Sequence, residues 1–192
     1  MSGRVLGTIT AIAVMVLFVG VVASMFQNVE RNQALPLSDA SIIREQAAAK
    51  DLDPALIAAV IYAETKFDPR PSTAGAEGLM QILPSTAYYL AHLSGGITFT
   101  ARDLGDPSVN VAYGSYYLRY LLDHYNGNEM LAIAAYNGGL TNVDRWVAHA
   151  DATGKHLVVA EIPFAQTREY VRRVLSAQAA YRETYPRQLG LE

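Results

Sequence analysis

Glu64 stands where the apolar face of a helix should continue, and an acid in that place can do proton-transfer chemistry. The segment Pro54-Ala55-Leu56-Ile57-Ala58-Ala59-Val60-Ile61-Tyr62-Ala63-Glu64 opens with Asp53 as N-cap and Pro54 at the first helical position. Leu56 and Val60 reach position 64 in steps of four, and Ile57 and Ile61 reach it by four and three, so the spacing points Glu64 inward. A carboxyl held against Leu, Ile and Val loses hydration. Its charged form is then disfavoured and its pKa rises, as a general acid near neutral pH requires. The competing reading is a helix-end glutamate turned to solvent ahead of Lys66 and Pro69.

The chain after Glu64 carries what such an acid would need around it. Ser72-Thr73-Ala74-Gly75-Ala76-Glu77-Gly78-Leu79-Met80-Gln81-Ile82-Leu83-Pro84-Ser85-Thr86-Ala87 has glycines at 75 and 78 that permit positive φ or close backbone approach, so it can fold tightly across the end of the Glu64 helix. Gln81 offers a donor and an acceptor beside the acid. A third segment, Ala132-Ile133-Ala134-Ala135-Tyr136-Asn137-Gly138-Gly139, reads as a helix end with Asn and Gly in C-cap positions. Taken alone, it is only a helix stop.

In this order the segments resemble the catalytic domain of the soluble-lytic-transglycosylase (SLT) family, which has a goose-lysozyme-like fold. The matching pieces are Glu64-Thr65 with Phe67, Ser72, Gly75-Ala76-x-Gly78-Leu79-Met80-Gln81-x-x-Pro84-x-Thr86-Ala87, Asp106-Pro107-x-x-Asn110-Val111, Tyr117-Leu118, Ala135-Tyr136-Asn137-x-Gly139 and Ile162-Pro163-x-x-Gln166-Thr167-Arg168-x-Tyr170-Val171. Together they cover roughly residues 40 to 185. The chain departs from the family's usual Glu-Ser at Glu64-Thr65, where Thr keeps the hydroxyl but stiffens χ1, and from its usual Glu-Thr at Gln166-Thr167.

The resemblance implies a peptidoglycan lytic transglycosylase that cuts the β-1,4 bond from N-acetylmuramic acid to N-acetylglucosamine and leaves a 1,6-anhydromuramyl end. Glu64 would be its catalytic acid and base. Thr65, Ser72, Gly78, Leu79, Met80, Gln81, Tyr136, Asn137 and Tyr170 would bind the glycan, with no cofactor and no metal. A single carboxylate, helped by the substrate's acetamido group, is what the family implies, whereas most glycosidases use two. Asp68, Glu77, Asp103, Asp106, Asp144 and Glu161 are the candidates for a second one, so a hydrolytic lysozyme is the alternative enzyme. A weakly active glycan-binding scaffold is the alternative outside enzymology, motivated by Thr65 and Gln166.

Composition narrows the partners. Net charge is −3, which gives no basic surface for nucleic acid. With no cysteine, disulfides, thiolate metal sites and a thiol nucleophile are excluded. His92, His124, His149 and His156 show no metal-ligand spacing. Among the twelve tyrosines, Tyr136 and Tyr170 are expected in the sugar groove, and Tyr88, Tyr89, Tyr116 and Tyr117 in packing. Residues Val5 to Phe26 carry no charge and as a helix would reach about 33 Å, enough for a bilayer core of roughly 30 Å. Arg4 before this run and the self-cancelling Glu30 and Arg31 after it favour a cytoplasmic N-terminus and an exported domain. Val22-Ala23-Ser24 keeps a cleavable signal peptide as the competitor, but the apolar run is longer than a usual signal core. Protein partners leave no trace in the sequence.

The organisation is therefore mainly α: an N-terminal transmembrane helix within 1–26, a linker over 27–39, a lysozyme-like helical domain over 40–185 and a tail over 186–192. Ser38 or Asp39 should cap a helix over 40–50. Further helices are expected from Pro84, over 109–124, over 130–136, around Arg145 and Trp146, and over 166–181. No alternating strand of useful length is present.

Overall fold

Residues 35–70, 72–94 and 100–192 are described in a computed structural model. The charge-free run 5–26, expected as a membrane anchor, lies outside them, and among the described residues no helix is long and apolar enough to cross a membrane. In chain order the helices are α1 (Ala40–Lys50), α2 (Pro54–Thr65), α3 (Pro84–Ser94), α4 (Pro107–His124), α5 (Glu129–Gly138), α6 (Leu140–Ala152), α7 (Ala165–Thr184) and the single turn α8 (Pro186–Leu189). Short 3-10 turns occupy Ala101–Gly105 and Val159–Glu161. The fold is mainly helical, as expected. Extended pairing among the described residues is limited to one antiparallel bridge between Glu77 and Ile82.

Polar residues set the helix starts. The Asp53 carboxylate accepts the Ala55 N–H at 3.0 Å, Asp106 accepts those of Ser108 and Val109, and Asn128 accepts that of Leu131, with Pro54 and Pro107 at first helical positions. The start of α1 differs from expectation. Asp39 adopts a left-handed backbone, φ 54°, and makes no side-chain cap, because its carboxylate takes the Ser38 hydroxyl at 2.8 Å instead.

The Glu64 helix is more enclosed than a single apolar face implies. Every residue from Ala55 to Ile61 is buried, with α1 and α7 packed against α2. Leu56, Ile57, Val60 and Ile61 each contribute about 1.5–3 kcal/mol on burial, enough for this helix to carry a half-buried acid at its end. The α2–α7 register has a polar anchor at its far end. Asp53 Oδ2 accepts from Gln178 Nε2 at 2.7 Å and from the Arg182 guanidinium at 2.9 Å. Position 64 lies eleven residues after 53, and position 170 twelve before 182. These are closely matched lengths of helix, about 17 and 18 Å, so the clamp at one end of the antiparallel pair brings Glu64 and Tyr170 level at the other. α7 also packs on α5 and so bridges the helices that carry Glu64 and Tyr136. Beyond residue 185, α8 packs on α1, with Leu189 buried and the Gln188 carbonyl accepting from Arg44.

Candidate active site

The site forms where α2 stops. Lys66 and Phe67 take left-handed backbones, φ 53° and 63°, and turn the chain sharply out of the helix. The Thr65 hydroxyl reaches the Leu79 carbonyl at 2.8 Å and its own helix's Ile61 carbonyl at 3.1 Å, tying the residue beside the acid to the loop above it. Ser72 closes that loop's first turn, with its hydroxyl accepting the Ala76 N–H at 2.9 Å. Glu77 and Ile82 exchange two backbone hydrogen bonds of 3.0 Å, and residues 78 to 81 make the turn between them. The Gln81 amide donates to the carbonyls of Gly78 at 2.9 Å and Arg70 at 3.1 Å.

Asn110 holds this loop from below. The residue is fully buried on α4; its Oδ1 accepts the Met80 N–H at 2.8 Å, and its Nδ2 donates to the carbonyls of Glu77 at 2.8 Å and Leu104 at 3.0 Å. Gly78 makes that approach feasible. A Cβ there would lie 2.2 Å from Asn110 Nδ2 and 2.5 Å from the Leu104 carbonyl, and its φ of +72° favours glycine independently. Met80 is seated by the same economy of space, since a Cβ on Gly114 would fall 2.3 Å from its sulfur.

Glu64 is half-buried, and Tyr170 of α7 donates its hydroxyl to Glu64 Oε1 at 2.7 Å. Burial pushes the Glu64 carboxyl above its ordinary range, while the Tyr170 hydrogen bond and the Arg173 charge pull it back. Arg173 lies 5.7 Å over the Tyr170 ring. Burial, reinforced by the negative charge of Glu64, raises the Tyr170 and Tyr136 hydroxyls well above the usual tyrosine range, so both remain donors. Tyr136 uses its proton on the Met80 carbonyl at 2.9 Å. Asn137 accepts from the Thr167 hydroxyl at 2.9 Å.

Several residues expected to line the glycan instead support the acid from behind. Tyr170 is only 1% exposed, Leu79 3% and Met80 0%, so they present essentially no surface to a ligand. Their aromatic or apolar bodies fill the core, and their polar atoms orient Glu64 or its loop. Asn110, Thr167 and Arg173 are parts of the site that the sequence reading left without a role. A polar residue next to Val111, on the face of α4 that continues through Leu118, Leu121 and Leu122, was the available signal for Asn110.

Four of the six candidates for a second carboxylate are engaged elsewhere. Asp68 pairs with Arg70 at 2.7 Å in solvent, Asp103 accepts the Thr100 N–H at 2.8 Å, Asp106 caps α4, and Asp144 accepts from the Tyr125 hydroxyl at 3.0 Å. Among the described residues, no three His, Asp or Glu side chains converge as metal ligands.

A helical body with an irregular loop tied across one half-buried glutamate belongs to the lysozyme-like class. More narrowly, the family model of the transglycosylase SLT domain matches residues 41–159, and the chain belongs to that family. It is 31% identical over 153 residues to the soluble lytic murein transglycosylase of Escherichia coli K12, covering 78% of this chain and 24% of that one. Over 99 residues it is 40% identical to the transglycosylase of Enterobacteria phage PRD1, covering 51% of this chain and 33% of the phage protein. Among solved structures, an inactive Glu-to-Gln variant of lytic transglycosylase Slt from Pseudomonas aeruginosa superposes with a TM-score of 0.71 at 32% identity, covering 78% of this chain and 24% of that one. The 70-kDa soluble lytic transglycosylase in complex with bulgecin A superposes with a TM-score of 0.70 at 30% identity, covering 78% and 25%. The chain thus spans about a quarter of the length of these cellular relatives.

Proposed function

We propose that the chain is a membrane-anchored peptidoglycan lytic transglycosylase with Glu64 as its acid and base. The observation that carries this reading is the 2.7 Å hydrogen bond from Tyr170 to a half-buried Glu64. With Oε1 held by Tyr170, Oε2 is the oxygen that meets substrate. Protonated Glu64 gives its proton to the glycosidic oxygen between N-acetylmuramic acid and N-acetylglucosamine as that bond breaks. The resulting carboxylate then takes the proton of the muramyl C6 hydroxyl while that oxygen bonds to C1, which closes the 1,6-anhydro ring and returns Glu64 to its acid form. No water is consumed. The raised pKa of Glu64 suits the first step and Tyr170's hold on the carboxylate suits the second. The engagement of Asp68, Asp103, Asp106 and Asp144 in caps and pairs supports a single-carboxylate mechanism over hydrolysis.

The relatives are named for murein transglycosylase activity, and one of them is inactive when a glutamate becomes glutamine. In the same reading, residues 1–26 anchor the chain, 27–39 form the linker, 40–185 form the catalytic domain and 186–192 a C-terminal tail. The charge-free run Val5 to Phe26 supports an anchor with the domain outside the cytoplasm.

Digestion of purified sacculi followed by mass spectrometry tests the chemistry. Products lighter by one water than hydrolysed muropeptides are expected, and Glu64→Gln should lower turnover by at least about 10²-fold. Reducing muramyl ends, with loss of activity in a folded Glu77→Gln or Glu161→Gln variant, would establish a lysozyme instead. Protease added to spheroplasts should degrade the domain, and protection from it would reverse the topology.

A further inference from the structure

Thr167, in the first turn of α7, is a polar residue only 2% exposed. A hydroxyl that deep needs a partner. It finds one across the helix pair, in Asn137 Oδ1 near the end of α5, at 2.9 Å. An amide oxygen carries no proton, so Thr167 is the donor, and the oxygen end of the Asn137 amide is drawn toward the core. The nitrogen end then points the other way. Asn137 is half-buried, and among the described residues its Nδ2 is neither hydrogen-bonded nor an orphan closed off from solvent. Packing limits where the Thr167 hydroxyl can turn, because a branched side chain has few χ1 states. A Cβ on Gly138 would lie 3.0 Å from Thr167 Oγ1 and 3.1 Å from its Cγ2, so the missing side chain at 138 is what lets the threonine close on α5. The same atom would lie 3.4 Å from Cη2 of Trp146, whose indole stands edge-on to Phe164 at 4.9 Å and 79°. Phe164 immediately precedes α7, so Trp146 of α6 wedges the start of α7 against the end of α5.

We propose that Thr167 is a positioning residue: its buried hydroxyl locks the Asn137 amide with the oxygen inward and both N–H donors outward, so that the site meets substrate with a donor at this point. The proposal rests on the glycan-cleaving reading of Glu64 and deepens it. A free asparagine amide can turn either end to a ligand, and half of its orientations would present an acceptor where the strand also presents an acceptor. Thr167 removes that choice before substrate arrives, which lowers the ordering cost of binding. The device is separate from the one that serves the acid. Tyr170, one turn further along α7, spends its proton on Glu64, whereas Thr167 spends its own on Asn137. One helix thereby orients two polar groups of the site, each through a buried hydroxyl.

The test uses the full-length protein carrying Glu64→Gln, so that ligands are bound and not cut, with β-1,4-linked N-acetylglucosamine hexamer and purified glycan strands as calorimetric probes. Thr167→Val keeps the packing and loses the proton, while Thr167→Ser keeps the proton and loses a methyl. Denaturation should rank Val at or above Ser. Binding should rank them the other way, with Ser near the parent and Val weaker by about threefold to tenfold, the scale of one neutral hydrogen bond. Binding that simply follows stability would make Thr167 a packing residue and overturn the proposal. In an Asn137→Ala background, Thr167→Val should cost no further affinity, and an undiminished second loss would show that the hydroxyl acts elsewhere. Asn137→Asp keeps an oxygen for the Thr167 proton and puts a second oxygen where Nδ2 stood, so it should bind no better than Asn137→Ala. Retained binding would mean that the strand meets the oxygen end, and the assigned orientation would be wrong. In the Glu64 enzyme, Thr167→Val should raise KM more than it lowers kcat, as lost uniform binding does. These failures leave the Glu64 reading intact. Failure of the Glu64→Gln protein itself to bind either probe would overturn the glycan reading, and the role of Thr167 with it.

Discussion

The two walls of the Glu64 site are built on different principles. One wall is the α2–α7 pair, two regular helices whose alignment is shared among many buried aliphatic contacts and one polar clamp at Asp53. The other is the 72–82 loop, whose backbone leaves regular structure at Gly78 and Gln81 and which is tied to the helical body by single side chains, Asn110 at Met80 and Glu77, Thr65 at Leu79 and Tyr136 at Met80. A distributed interface loses little when one contact goes. A loop held by a few side-chain hydrogen bonds is more exposed to the loss of any one of them, because a backbone group released in the interior is left without a partner.

The sharpest test of this contrast is Asn110→Ala. It strands the Met80 N–H and removes the Asn110 donor from the Leu104 and Glu77 carbonyls, of which Glu77 keeps the Ile82 N–H, at about 1–3 kcal/mol for each group left unsatisfied. Chemical denaturation should show a loss of about 3 kcal/mol or more, with glycan cleavage falling further than the folded fraction. If the loss is under about 1 kcal/mol, the loop is not hung on Asn110 and the contrast fails.

On the helical wall, Asp53→Ala should cost less, about 0.5–2 kcal/mol for the cap together with a modest share from the half-exposed Arg182 pair. Because burial along α2 is distributed, turnover measured on the folded fraction should stay within a few-fold of the parent. A large fall in turnover with little loss of stability would show that the clamp sets the Glu64–Tyr170 register by itself.

Tyr170→Phe probes the contact in which α7 meets the acid. Its hydroxyl stabilises the carboxylate form of Glu64, so removing it raises the Glu64 pKa further. In the proposed mechanism protonated Glu64 starts the reaction. The alkaline limb of the pH–rate profile should therefore move to higher pH, even as kcat falls through loss of orientation. A shift to lower pH would contradict the hydrogen bond's assigned role.

Arg173→Gln should act in the same direction with the smallest effect, since its guanidinium is exposed and screened by solvent. Raising salt toward 1 M should make the parent's profile approach that of the variant. An effect that persists unchanged at high salt would point to the cation–π contact with Tyr170 as the source.

Much of this construction is legible one segment at a time. The helix start at Asp53 follows from a short polar side chain ahead of an apolar run, and the structure places the cap there; it adds caps at Asp106 and Asn128, just ahead of the helices expected over 109–124 and 130–136. Ser38-Asp39 has the same local look. There, two adjacent polar side chains satisfy each other, and the cap is lost. The inward turn of Glu64 is legible for the same reason, because helical periodicity fixes which side of α2 a residue faces.

Periodicity says nothing about what stands opposite. Tyr170 meets Glu64 across 106 positions of chain, and the reach of Asn110 to Met80 spans 30. Neither distance is encoded in a local pattern. The same limit explains why Leu79, Met80 and Tyr170 were expected to face sugar and are buried, and why Tyr89 was expected to pack and is half in water. The left-handed turns at Lys66, Phe67 and Gln81 also lack the glycine that would have marked them. The sequence by itself determined the inward place of Glu64 at the end of α2, the Asp53 cap that starts that helix and the order of the segments, since each depends on a few neighbouring residues and the 3.6-residue period. Tertiary structure alone decided which side chains touch the acid, which hold the loop and which remain open to a ligand, because those outcomes depend on packing surfaces that meet only when distant segments come together.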